Sequence, residues 1–78
     1  MAAPLEVEAG ELSVEELLDR LAAGQRVVVR TEFLGEPHEV TLRQDGETWY
    51  CDTPTRLHKH ESADEMRTCL EKQGYGRE

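Results

Sequence analysis

Apolar residues recur along this chain with two different periods. Val14, Leu17, Leu18, Leu21 and Ala22 are spaced i, i+3, i+4, i+7 and i+8, which is one apolar stripe on a helix. Ser13-Val14-Glu15-Glu16 opens the run as a capping box. The serine oxygen takes one unpaired backbone N–H, and the glutamate three positions on reaches back to another. Gly24 stands where a left-handed C-terminal cap belongs, so the pattern predicts a helix over 13–23. The same device returns at Ser62-Ala63-Asp64-Glu65. A narrower stripe of Ala63, Met66, Cys69, Leu70 and Gln73 follows, with a stop at Gly74, and predicts a second helix. Residues 1–11 show no period and are expected as a flexible N-terminal arm. That leaves 12–78 as a single small α+β domain.

Between the helices the period changes to two. Arg26 to Phe33 is β-branched and alternating, Gly35-Glu36-Pro37 breaks it, and His38 to Arg43 alternates again. Asp45-Gly46 is a hairpin dipeptide, and Glu47 to Asp52 makes a third strand. An Asp45-Gly46 loop sets Leu42 opposite Trp49 and Val40 opposite Cys51. A Gly35-Glu36 loop sets Phe33 opposite His38, Thr31 opposite Val40 and Val29 opposite Leu42. Both turns then collect Val27, Val29, Phe33, Val40, Leu42, Trp49 and Cys51 on one face. The expected fold is α+β, ordered αβββα: a three-stranded antiparallel meander with two helices packed on one face. Thr53 to Glu61 is a connector, with a short extended piece around Leu57. The uncovered face carries rows Val28/Arg43/Thr48, Arg30/Thr41/Tyr50 and Glu32/Glu39/Asp52 in this register.

Charge narrows the functional classes. Seventeen acids against nine bases give a net charge of −8, which disfavours nucleic acid and anionic lipid as partners. The chain has thirteen glutamates, two lysines, and no isoleucine or asparagine. A carboxylate-rich, lysine-poor surface stays hydrated and dispersed when salt screens its self-repulsion. In this the chain resembles the small acidic proteins of halophilic archaea, a likeness of composition that carries no functional motif. The longest wholly aliphatic run is Val27-Val28-Val29, and the N-terminus lacks the basic and apolar regions of a secretory signal. A cytoplasmic protein is expected.

Four groups of residues could carry chemistry. Cys51, His58, His60 and Cys69 contain the donors of a tetrahedral zinc site. Their spacing, C-x6-H-x-H-x8-C, is not that of paired knuckles, so both cysteines are expected as buried, metal-free and slow to react. Arg56, His58, Lys59 and His60 make the one locally basic stretch, expected as a solvated loop able to receive an anionic group. Glu32, Glu39 and Asp52 could hold a hard cation weakly but fit a salt-adapted surface. His38 is expected on the core face at a strand end, as a structural histidine. No nucleophile elbow, phosphate loop or dinucleotide fingerprint is present.

The expected function is therefore a protein-interaction or self-association module, not an enzyme and without a cofactor. Its expected interaction face is Val28, Arg30, Thr41 and Tyr50, with a second copy or another protein as partner. Strand one is expected as an exposed edge able to pair with another chain. The alternative is a zinc-binding regulatory domain using the Cys/His set.

Overall fold

A computed structural model describes residues 3–77, except for the side chain of Phe33. The elements run β1 (Leu5–Glu8), α1 (Val14–Ala22), β2 (Val27–Phe33), β3 (Glu36–Asp45), β4 (Thr48–Asp52), β5 (Leu57–His60) and α2 (Ala63–Gln73). The class is α+β, but the sheet has five strands in the order β1-β2-β3-β4-β5, not three. β1 runs parallel to β2, with Val7 beside Val29, and the other neighbours are antiparallel. The segment expected as a flexible arm therefore contains a paired strand. β2 lies inside the sheet and is not an edge.

Both helices form as their caps dictate. At α1 the Ser13 hydroxyl accepts from the Glu16 N–H, and the Glu16 carboxylate accepts from the Ser13 N–H, each at 3.1 Å. At α2 Ser62 accepts from the Glu65 N–H, while the Glu65 side chain reaches the Glu61 N–H instead. Gly74 closes α2 in the left-handed conformation, φ 73°. Arg67 joins the helices, pairing with Glu15 of α1 and Asp64 of its own helix.

The two hairpins differ from expectation by the same amount. β2 and β3 turn through Leu34-Gly35, pairing Phe33 with Glu36 and Val29 with Val40. Glu36 precedes Pro37, which confines it to extended backbone, so it cannot serve as a turn residue needing positive φ. Leu34 and Gly35 take that conformation instead, with φ of 54° and 80°. β3 and β4 turn through Gly46-Glu47, pairing Asp45 with Thr48 and Leu42 with Cys51. Gly46 takes φ 62°, and Asp45 is spared it. Moving a two-residue loop by one position moves the pairing by two, so every side chain keeps its face.

The expected inner face therefore survives its wrong partners. Val27, Val29, Val40, Leu42, Trp49 and Cys51 are buried together with Val7; the placement expected for the Phe33 side chain lies outside the described residues. Leu17 and Leu21 of α1 and Met66 and Leu70 of α2 are fully buried against that face. Full burial of an aliphatic side chain stabilises by about 1.5–3 kcal/mol. The last described residues strap the open end of this core. Tyr75 is buried, the Val14 N–H donates to the Arg77 carbonyl, and the Arg77 N–H donates to the Leu12 carbonyl. Val14 begins α1, so its N–H has no partner within the helix.

The expected row of three carboxylates does not exist. Glu39 pairs with Arg30, Glu32 with Pro37, and Asp52 with Thr41 and Leu57. The register shift that preserves the faces separates these acids. No helix among the described residues is long and apolar enough to cross a membrane.

Candidate functional site

The stretch expected as a solvated loop is a strand. After β4 the chain reverses through Thr53–Arg56, where the Thr53 hydroxyl accepts from the Arg56 N–H at 3.0 Å and donates to its carbonyl at 2.7 Å. The returning residues form β5, with His58 beside Cys51 and His60 beside Trp49. Alternation along a strand sorts the basic stretch between two faces. His58 and His60 turn inward and are half-buried, whereas Lys59 lies on the open face and Arg56 is exposed in the turn. The basic cluster is thus not one patch.

On the inner side the four cysteine and histidine residues come together. Cys51 is fully buried in β4, and Cys69, on the facing side of α2, is only half-buried. The His58 and His60 rings stack nearly parallel, with centroids 6.4 Å apart. A hydrogen bond from Cys51 is the largest influence on Cys69. With the charge of His60 and His58, it holds the Cys69 thiol down at about 6, against an ordinary 9.0. The same hydrogen bond, and burial, push the Cys51 thiol up. Cys69 is thus the more acidic thiol of the pair and Cys51 the less acidic. Cys51 is buried as expected, but Cys69 is only half-buried, so the expectation of two dry thiols holds for Cys51 alone. Sequence spacing could not show the difference in acidity, because the strand that brings the imidazoles in was not visible. Among the described residues, no group of three or more His, Cys, Asp or Glu side chains is arranged to hold a metal ion.

Two clefts flank the pair. One, of about 380 Å³, is walled by Cys69, His58, His60 and Lys72. The other, of about 330 Å³, lies at the opposite end of β5 and is walled by His38, Cys51, His58 and Tyr75. His38, expected at a strand end opposite Phe33, is instead the third residue of β3, half-buried and paired with Thr31.

The open face holds the other candidate. Val28, Arg30, Thr41 and Tyr50 all lie on it, as expected, but their partners differ. Val28 pairs with Thr41, and Arg30 is engaged by Glu6 and Glu8 of β1. Tyr50 pairs with Arg43 on one side and Lys59 on the other. The Arg43 guanidinium sits 4.0 Å from the centroid of the Tyr50 ring, a cation–π contact. Arg43, Tyr50 and Lys59 thus form one row across three strands. The sequence does not show this row, because the hydropathy around Lys59 carries no strand period.

A family model described as a family of unknown function (DUF8001) matches residues 1–78, and the chain belongs to that family. No curated protein and no solved structure matches it.

Proposed function

We propose that this member of the family is a small intracellular interaction module whose open sheet face docks an acidic segment of another protein. The observation that carries the reading is the Arg43–Tyr50–Lys59 row. It places two cations around an aromatic ring on a chain whose net charge is −8. Among the described residues no ion pair engages Arg43 or Lys59, whereas Arg30, Arg67 and Arg77 are each paired with carboxylates. Val28 and Thr41 supply a half-buried floor beside the row. Such a surface suits a carboxylate-bearing segment: charge fixes its position, and the flat aromatic ring supplies contact area at low entropic cost.

Pairing through a sheet edge is the weaker arrangement. Both edge strands, β1 and β5, are only four residues long and carry outward charges, Glu6 and Glu8 on one and Lys59 on the other. Short, charged edges are how sheets avoid joining one another. The two thiols are unbridged, which fits a reducing compartment.

NMR titration with a polyglutamate peptide at low salt tests the reading. Amide shifts should concentrate on the outward residues of β3, β4 and β5 and vanish in the R43E/K59E double variant. Shifts that map to the helices, or that persist in the double variant, refute it. A solution mass that doubles with concentration, and is lost in the double variant, would make a second copy the occupant.

A further inference from the structure

Cys51 and Cys69 differ in one respect that core packing does not require. Cys69 opens onto the cleft that it shares with His60 and Lys72, whereas Cys51 has no exposure and belongs to the core against which Cys69 packs. Cys69 is reachable from solvent, whereas Cys51, although it borders the second cleft, has no exposed surface. His60 Nε2 is buried beside them with no hydrogen-bond partner. A buried polar atom left unpaired is costly, and His60 lines the same cleft as Cys69. Lys72, on the same cleft wall, adds a cationic side chain.

We propose that Cys69 and Cys51 form a reversible dithiol–disulfide site, with Cys69 as the attacking thiol, Cys51 as the resolving thiol, and a low-molecular-weight disulfide such as glutathione disulfide as the oxidant. The Cys69 thiolate attacks one sulfur of the oxidant. The Cys69–S bond forms, the oxidant's S–S bond breaks, and one thiolate leaves. Cys51 then attacks the Cys69 sulfur, forming the Cys51–Cys69 disulfide and expelling the second thiol, which takes the Cys51 proton. The protein loses two electrons, and the oxidant gains them as two thiol equivalents. Attack through the thiolate and resolution by a neighbouring thiol are the ordinary course of such exchange. The cleft onto which Cys69 opens makes it the entry point, and its lowered pKa favours it as the nucleophile. The bond formed would tie β4 to α2 and close the loop that carries β5, so oxidation state would be written into the layer beneath the open face.

The test uses the full chain, reduced and then exposed to glutathione disulfide at neutral pH. Intact-mass measurement should show loss of two hydrogens, and peptide mapping should place the new bond between Cys51 and Cys69. Brief iodoacetamide treatment of the reduced protein should label Cys69 about tenfold or more faster than Cys51. The C51A variant should stop at a glutathionyl adduct on Cys69, and C69A should form none. If C51A fails to fold, C51S serves in its place, and the wild-type measurements stand regardless. Folded wild type that remains fully reduced, or that keeps the adduct unresolved, overturns the proposal. So does equal labelling of the two cysteines. Stoichiometric uptake of zinc from zinc chloride, with both thiols then protected from iodoacetamide, would assign the cluster to a metal and overturn it as well.

Discussion

Gly76 lies hard against Val14. A Cβ built on Gly76 would stand 2.8 Å from Val14 Cγ2 and 2.9 Å from Val14 Cα. The contact exists because the strap of residues 75–77 crosses the start of α1 and supplies its first N–H with a carbonyl. The backbone of Gly76 is not in the left-handed region, so space alone demands the glycine.

Gly76→Ala should therefore be destabilising. The Val14 side chain could rotate, but its Cα can move only with the helix. Overpacking of this kind costs about 1–3 kcal/mol. Gly74→Ala is the informative comparison: its added Cβ meets nothing within 4 Å, but its φ of 73° costs an alanine about 1–2 kcal/mol. Urea unfolding of both variants checks this. The Gly76→Ala effect should be relieved by Val14→Ala in the same chain, and the Gly74→Ala effect should not. A Gly76→Ala midpoint equal to wild type would remove the strap from the account of stability.

Leu34 offers a gain. It occupies the first loop position of the β2–β3 hairpin with φ 54°, and its side chain is 88% exposed. It therefore adopts left-handed backbone without compensation from burial. Asparagine tolerates that conformation, and Asn-Gly is the preferred pair for such a two-residue loop. Leu34→Asn should raise the urea midpoint, by a stability increment of about 0.5–1 kcal/mol. An unchanged or lowered midpoint would mean that Leu34 has a contact partner in solution.

The two hairpins also show what a sequence can and cannot specify. Faces were legible because alternation fixes them, and a misplaced two-residue loop leaves them intact. Partners were not, because the loop position depended on which residues could take positive φ. β1 was not legible because Leu5 and Val7 are its only apolar positions, and its pairing with β2 is parallel and therefore distant in sequence. β5 was hidden for a different reason. Its inward residues are His58 and His60, and its outward ones include Leu57, 45% exposed, so its hydropathy runs against its burial. Missing β5 concealed both the imidazoles beside the thiols and the third member of the basic row. The strap was invisible because one tyrosine between two glycines has no period.

Alkaline unfolding should involve Tyr75. Burial is the first cause that pushes its hydroxyl up to about 12 from an ordinary 10.0, with the charge of Cys51 and Cys69 adding to it. The unfolded chain releases this proton first. Above pH 10 it binds fewer protons than the folded chain, so stability falls as pH rises. The contribution is complete below pH 10 and is lost as pH rises through about 12. Tyr75→Phe should remove this part of the alkaline decline while leaving neutral stability nearly unchanged, since no hydrogen bond to its hydroxyl is seen among the described residues. Thermal midpoints from pH 8 to 12 for both proteins check it, and parallel curves would refute the assignment.

Salt should stabilise the folded chain. Its principal extents are 35 × 27 × 24 Å, and the Debye length is about 30 Å at 0.01 M salt. In dilute buffer every carboxylate therefore feels nearly every other, on a molecule of net charge −8. At 1 M the Debye length is about 3 Å, and only contacting charges interact. Screening also weakens the ion pairs of Arg30, Arg67 and Arg77. These are exposed, and such pairs contribute only about 0–1 kcal/mol each, so relief of the larger repulsion prevails. The thermal midpoint should rise from dilute buffer to molar KCl. Most of the rise should come below about 0.3 M, where the Debye length shrinks fastest. A slower, roughly linear increase beyond that reflects stronger apolar burial rather than screening. Molar sucrose, which carries no charge, should reproduce only the slow part. A midpoint that is flat across the KCl series would show that the acid excess does not strain this fold, and the compositional likeness to halophilic proteins would lose its physical meaning.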